Sequence, residues 1–146
     1  MDDLFLVESS IEINASPSQV WQILTQPEKI ELYTGFNTIT DWKEGSPIVF
    51  EGDYKGIKYQ DKGQVLINIQ NEKLSFQFWS GIEKDPVPEE NKSVITYELS
   101  SEKEGITTLK YIRENISSLD EQAMFEEHLP SVLEIMKDVA EGKDPE

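Results

Sequence analysis

Few side chains in this sequence could carry acid–base or nucleophilic chemistry. There is one histidine, His128, and no cysteine, so a catalytic triad would need a serine or threonine next to His128. His128 belongs to an apolar stripe with helical spacing, and a hydrogen-bonded or half-exposed residue at the edge of that stripe is the simpler interpretation. We therefore expect no catalytic residue. The alternative is a hydrolase or cyclase that uses Arg113, Tyr111 or His128.

The sequence also lacks the patterns that hold metals and nucleotides. Glu126, Glu127 and His128 are consecutive, so on a helix their side chains diverge, whereas a metal site needs ligands that converge. The pair Glu89-Glu90 falls in a polar loop, where exposure to water gives no reason for an acid–base function. No glycine-rich phosphate loop is present. We expect neither a metal nor a cofactor.

Arg113 is the only arginine in a chain that otherwise uses lysine for its positive charge. Alternation along its predicted strand turns it to the same side as Leu109 and Tyr111. One interpretation is a bidentate anchor for the carboxylate of a ligand, and the other is an ion pair with a nearby glutamate such as Glu98 or Glu114. In either case a buried arginine requires an anion.

The elements that position these residues begin with a strand and two short helices. The segment from Leu4 to Asn14 alternates apolar and polar residues, which indicates a half-buried strand. Ser16-Pro17-Ser18-Gln19 has the form of a capping box with proline at the first helical position, so a helix begins there. Pro27 interrupts this helix, and a second helix is expected from Pro27 to Tyr33.

The middle of the chain predicts a series of antiparallel hairpins, because the apolar period changes to 2 after Gly35 and turn-forming residues separate the runs. The predicted strands are Thr38–Lys43, Pro47–Asp53, Ile57–Gln70, Lys73–Ser80, Ser93–Ser101 and Thr107–Asn115. Alternation predicts these inward-facing sets: Val65, Ile67 and Ile69; Leu74, Phe76 and Phe78; Ile95, Tyr97 and Leu99; Leu109, Tyr111 and Arg113.

A long amphipathic helix is predicted near the end of the sequence. Ser118-Leu119-Asp120-Glu121 forms a second capping box, and an apolar stripe follows from Met124 to Val139. Pro130 lies inside the stripe, so a kink or a break is expected there. The tail from Glu141 to Glu146 is expected to fray.

These elements predict an α+β fold in which a curved antiparallel sheet wraps around the long C-terminal helix, with two short helices after the first strand. We expect one domain over residues 1–146, with its core in residues 4–141. A bent sheet that grips a single helix leaves a hollow between them.

The sequence resembles the START-like domains of the SRPBCC superfamily, and among them the type named after the activator of heat-shock protein ATPase homologue. The resemblance extends from Ile11 to Lys137. It rests on Ala15-Ser16-Pro17 followed by Val20-Trp21, on Leu24-Thr25-Gln26-Pro27-Glu28-Lys29, on Gly63-Gln64-Val65, on Leu74-Ser75-Phe76, and on Phe125 to Pro130 ahead of Val132. The sequence departs from the family pattern at Leu32-Tyr33-Thr34-Gly35 and at Phe125, where the family commonly has tryptophan.

This resemblance implies a helix-grip fold similar to that of the birch-pollen allergens, with a deep apolar cavity. It also implies a range of functions, since members of the superfamily bind lipids, hormones or polyketides, act on small substrates, or assist chaperones. The fold alone does not choose among these functions.

From the hollow and the resemblance we predict non-catalytic binding of a small apolar or amphipathic molecule between the sheet and the terminal helix. The predicted ligand-binding residues are Phe76, Phe78, Tyr97, Tyr111, Arg113, Phe125 and, at the rim, His128. Ordinary core packing is the alternative for the aromatic residues. A chaperone-linked or other protein-binding adaptor is the alternative function.

Composition restricts the partners further. The formal net charge of −16 repels phosphate backbones and anionic lipids, so we expect neither nucleic acid nor membrane as a partner. The apolar run from Leu4 to Val7 is too short for a signal peptide, and the absence of cysteine suits a reducing compartment, which together predict a cytoplasmic protein. Edge strands allow a monomer or a weak dimer.

Overall fold

The described part of the chain runs through a strand, two helices, six strands and a helix. The computed structural model describes residues 5–81, 87–88, 92–116 and 118–143. The strands are β1 (Phe5–Ile13), β2 (Asn37–Ile39), β3 (Pro47–Tyr54), β4 (Ile57–Ile69), β5 (Lys73–Ser80), β6 (Ser93–Lys103) and β7 (Ile106–Ile116), and the helices are α1 (Pro17–Thr25), α2 (Pro27–Thr34) and α3 (Leu119–Ala140).

These strands form one antiparallel sheet in the order β1-β7-β6-β5-β4-β3-β2. Strands β2 to β7 form a meander, and β1 pairs with β7, where Ile11 lies opposite Leu109. Helix α3 packs against β1 and against the two short helices. The predicted α+β fold, a curved sheet around a C-terminal helix with two short helices after the first strand, is confirmed.

Side-chain caps fix where the helices begin. The Ser16 Oγ accepts a hydrogen bond from the Gln19 N–H (3.2 Å), and the Gln19 Oε1 accepts one from the Ser16 N–H (2.9 Å), which is the predicted capping box. At the start of α3 the Ser118 Oγ accepts from the Glu121 N–H (3.1 Å). Gly35 ends α2 in the left-handed region at φ 81°, a conformation that glycine adopts without strain.

Helix α3 differs from the prediction in two respects. It continues through Pro130 without a break, because one missing hydrogen bond is offset by the packing of Leu129 and Leu133 on either side. The apolar stripe is also buried only in its second half, since Met124 is exposed. The buried residues of α3 are Leu129, Leu133, Met136 and Val139.

Strand β2 is shorter than predicted, because the chain turns between Thr40 and Lys43. The Trp42 N–H donates to the Thr40 Oγ1 (3.2 Å) and the Lys43 N–H donates to the Asp41 Oδ1 (2.9 Å), so side chains replace the partners that a strand would supply. Trp42 has a φ of 63°, and its indole Nε1–H donates to the Thr25 carbonyl at the end of α1 (2.7 Å). The turn therefore joins the sheet to the first helix.

The predicted inward facing of β4 is wrong beyond Val65. Val65 lies opposite Phe76, but Ile67 lies opposite Ser75, so a bulge at Leu66 inserts one residue and reverses the alternation. Ile69 is exposed as a result. Sequence alternation alone does not reveal a bulge, since both faces of this segment carry apolar residues.

The C-terminal end of α3 is held by Glu141, the first residue of the tail predicted to fray, whereas residues 144–146 of that tail lie outside the described residues. The Glu141 side chain is 6% exposed and forms ion pairs with Lys137 and Lys143 (3.1 Å for Lys143), and its Oε2 accepts from the Asn14 N–H (2.9 Å). Burial alone would raise the pKa of Glu141, but these hydrogen bonds outweigh burial and lower the pKa to about 2. Glu141 thus ties the helix end to the segment after β1.

We expect Glu141→Gln to lower the free energy of unfolding by roughly 1–3 kcal/mol near neutral pH, since it removes a buried, hydrogen-bonded charge. A carboxyl group whose pKa is depressed on folding stabilises the protein fully above its ordinary pKa of 4.5 and loses that effect as pH falls towards 2. The difference between wild type and variant should therefore shrink between those two values. Urea unfolding at several pH values measures it, with Glu127→Gln as a control on the exposed side of α3. A difference that does not change with pH would contradict the ion-pair interpretation.

Trp21 is 8% exposed and packs from α1 into the core, as predicted. Truncation to alanine leaves a large cavity, so Trp21→Ala should reduce the free energy of unfolding by roughly 3–5 kcal/mol. The neighbouring exposed residue gives a control, and Gln22→Ala should cost less than about 0.5 kcal/mol. The midpoints of urea unfolding measure both changes. An equal loss of unfolding free energy in the two variants would show that the packing of Trp21 is not stabilising.

Candidate ligand-binding cavity

A cavity of about 240 Å³ lies between the concave face of the sheet and the helices. Most of its lining side chains are apolar or aromatic. They are Leu24, Ile30, Tyr33, Thr34, Phe36, Thr38 and Trp42 from the helices and the segment that follows them, Phe50, Asp61, Phe76, Phe78, Ile95, Tyr97, Tyr111 and Arg113 from the sheet, and Val132 from α3.

Strand register brings the rings of the sheet together. Tyr97 lies opposite Tyr111, and their ring centroids are 5.6 Å apart with the rings edge to face. The ring centroid of Phe76 lies 6.4 Å from that of Tyr97 and 6.0 Å from that of Phe50. Such contacts stabilise the wall of the cavity and leave ring faces and edges for an apolar ligand.

Arg113 provides the positive charge of the cavity. Its guanidinium carbon lies 3.9 Å from the ring centroid of Phe125 and 5.1 Å from that of Phe78, so the charge is held between two aromatic rings. Its Nε is buried and has no hydrogen-bond partner in the part of the chain that the structure describes. Among the described residues no carboxylate lies within 4 Å of the guanidinium, and Glu98 instead pairs with Lys73 at 3.7 Å.

The three tyrosines of the cavity are neutral phenols at neutral pH. Burial raises the pKa of Tyr33, whose hydroxyl donates to the Ile23 carbonyl (2.7 Å), and it raises the pKa of Tyr97 well above its ordinary value. Burial also raises the pKa of Tyr111, although the charge of Arg113 and a hydrogen bond from it lower this pKa in part. The Tyr97 and Tyr111 hydroxyls can donate hydrogen bonds to a ligand, but the three phenols are poor candidates for a base or a nucleophile.

Two further polar groups line the cavity at its β2–β4 side. Thr38 is 2% exposed, and its Oγ1 has no hydrogen-bond partner among the described residues. Asp61 is half-buried. Burial raises the pKa of its carboxyl group, and a hydrogen bond from the Gly81 backbone offsets only part of this rise. No group of three or more histidine, aspartate or glutamate side chains in the described ranges could hold a metal ion.

The sequence of residues 14–141 matches the family described as Activator of Hsp90 ATPase homolog 1-like protein. The chain belongs to this family. The resemblance that the motifs of α1, α2 and the strands predicted is confirmed.

Solved structures of similar proteins agree with this assignment. ChR145 from Cytophaga hutchinsonii is 32% identical, with a TM-score of 0.79 and 94% of each chain covered. The Aha1 dimer from Colwellia psychrerythraea is 20% identical, with a TM-score of 0.73 and coverage of 94% of this chain and 96% of that one. Ara h 8.0201 shares the fold at 8% identity, with a TM-score of 0.73 and coverage of 97% and 100%. No curated protein matches the chain.

Of the seven ligand-binding residues predicted for this member of the Hsp90 ATPase activator homolog family, five lie in the cavity wall. These five are Phe76, Phe78, Tyr97, Tyr111 and Arg113. Phe125 is half-buried and covers the guanidinium of Arg113 instead of lining the cavity itself. His128 is exposed and lies outside the lining, because the first half of α3 is largely exposed.

The prediction missed several lining residues. Phe50 could have been found, because it follows the buried Ile48 by two residues on a predicted strand and therefore faces the same side. No repeating pattern in the sequence marks the inward side of three other lining residues, which lie on α2 or in irregular segments: Tyr33, Phe36 and Trp42.

None of the helices in the described ranges is long and apolar enough to cross a membrane.

Proposed function

We propose that this chain binds a small apolar acid in the cavity and does not transform it. The proposal rests on the surroundings of Arg113. This residue is a half-buried cation in an apolar wall, and no carboxylate of the described residues pairs with it. A charge in such surroundings is costly unless an anion accompanies it. The carboxylate of a ligand can supply that anion by bidentate hydrogen bonding to the guanidinium.

The size and the lining of the cavity define the rest of the ligand. At roughly 30 Å³ per water molecule, a volume of about 240 Å³ holds a body on the order of ten non-hydrogen atoms. Burial of such a body against the rings of Phe76, Phe78 and Tyr97 contributes about 25 cal/mol per Å² of apolar surface. A medium-chain fatty acid or a single-ring aromatic acid meets both conditions.

Catalysis has less support than binding. The phenols next to the cavity are neutral, His128 lies outside it, and Arg113 cannot act as a base because it keeps its proton in proteins. The hydrolase or cyclase alternative would need a base that these residues do not supply.

The binding of decanoic acid and of the neutral analogue decanol tests the proposal. Arg113→Gln should weaken decanoic acid binding by about tenfold or more, the loss of a charged hydrogen bond, and should leave decanol within about twofold. Lys110→Gln is the matched control, because Lys110 lies on the same strand but pairs with Glu8 at 3.1 Å outside the cavity. Trp42 lines the cavity, so its fluorescence can report binding.

Two results would contradict the proposal. If wild type binds acid and alcohol equally and Arg113→Gln changes neither, Arg113 is not an anchor. If wild type binds neither compound, the cavity is not a site for small apolar acids.

A protein-binding role is the second candidate, and the exposed apolar tip of the β3–β4 hairpin favours it. Ile57 is 71% exposed there and Tyr59 is exposed beside it, and exposed apolar residues of this kind are common in protein contacts. The family name points to Hsp90 as the partner to test. If this role holds, Ile57→Ser should weaken binding to purified Hsp90 at least about tenfold, since it removes an apolar anchor. Binding of decanoic acid to the same variant should be unchanged.

A further inference from the structure

The wall of the cavity opposite Arg113 contains a hydroxyl group that nothing in the described chain satisfies. Thr38 is 2% exposed, lines the cavity, and its Oγ1 has no hydrogen-bond partner among the described residues. Thr34 also lines the cavity, but its Oγ1 donates to the Ile30 carbonyl (2.8 Å). A buried hydroxyl without a partner destabilises the folded state, so Thr38 is placed for a group that enters the cavity.

Asp61 lies on the same row of the sheet as Thr38. Thr38 pairs with Phe50 across β2 and β3, and Phe50 pairs with Asp61 across β3 and β4. Residues directly opposite each other point to the same face, so Thr38 and Asp61 flank Phe50 about 10 Å apart, which is two strand spacings. Both side chains line the cavity.

Thr38 is well separated from the charge of Arg113. The guanidinium lies beside the ring of Phe78 on β5, and in the sheet order β2 is three strands from β5. A carboxylate is attracted to the Arg113 side and repelled by Asp61, so an acid has one preferred orientation. The end of the ligand far from its carboxylate then faces Thr38.

We propose that Thr38 forms a second polar subsite for a hydroxyl group, so that the preferred ligand is an apolar acid with a hydroxyl at the end far from its carboxylate. This inference rests on the proposed function. A hydroxyl fits because it can accept a hydrogen bond from the Thr38 hydroxyl. A methyl end would leave the Thr38 hydroxyl without a partner among the described residues.

The affinity ratio of ω-hydroxydecanoic acid to decanoic acid tests the subsite. Wild type should bind the hydroxy acid about tenfold more tightly, the usual effect of one satisfied hydrogen bond in a buried site. In Thr38→Val, which keeps the shape and removes the hydroxyl, the ratio should fall to about one. Thr25→Val is the matched control outside the cavity wall and should keep the wild-type ratio, because the Thr25 hydroxyl is already satisfied by the Trp21 carbonyl (2.9 Å). Thr38→Ala also removes the hydroxyl and should lower the ratio in the same way if Thr38→Val does not fold.

The outcomes separate this inference from the function on which it rests. If wild type binds both acids equally, the cavity binds acids but Thr38 meets only water, and the subsite is overturned. The same holds if Thr38→Val keeps the wild-type ratio. If neither acid binds to wild type, the proposed function fails and the subsite fails with it.

Discussion

The guanidinium of Arg113 is held between the rings of Phe78 and Phe125, with its Nε buried and no carboxylate of the described chain beside it. Aromatic faces stabilise a cation only in part, and they do not supply the acceptor that the Arg113 Nε lacks among the described residues. This contact also joins the sheet to α3, because Phe78 belongs to β5 and Phe125 to α3. The cavity is therefore bounded by a cation for which the described residues supply no carboxylate, and this gives the site its polarity.

Register and local turns decide what else faces that cavity. The pairing of β5, β6 and β7 aligns Phe76, Ile95 and Arg113 in one row, and the next row brings Tyr97 beside Tyr111. The turn at Trp42 completes the opposite wall, since its indole bonds to the end of α1. A one-residue slip in any of these strands would turn the rings to the outside. The cavity thus depends on the same pairings that form the sheet.

Sequence reasoning predicted most of the fold and the sheet part of the site. Capping at Ser16, the proline at the start of α2 and the period of two in β5, β6 and β7 are local signals that the tertiary structure preserves. It failed where the outcome depends on non-local packing. Helical spacing assigns His128 to a face but does not say how far along α3 burial extends, and no local signal marks the bulge at Leu66 or the inward side of Thr38.

In the proposed function a small apolar acid lies inside the cavity, in contact with the aromatic wall. Intermolecular nuclear Overhauser effects between isotope-labelled decanoic acid and the protein test this placement directly. Contacts are expected from the methylene chain to the ring protons of Phe76 and Tyr97. Contacts confined to exposed side chains such as Ile57 and Tyr59, or the absence of any contact at saturating acid, would contradict it.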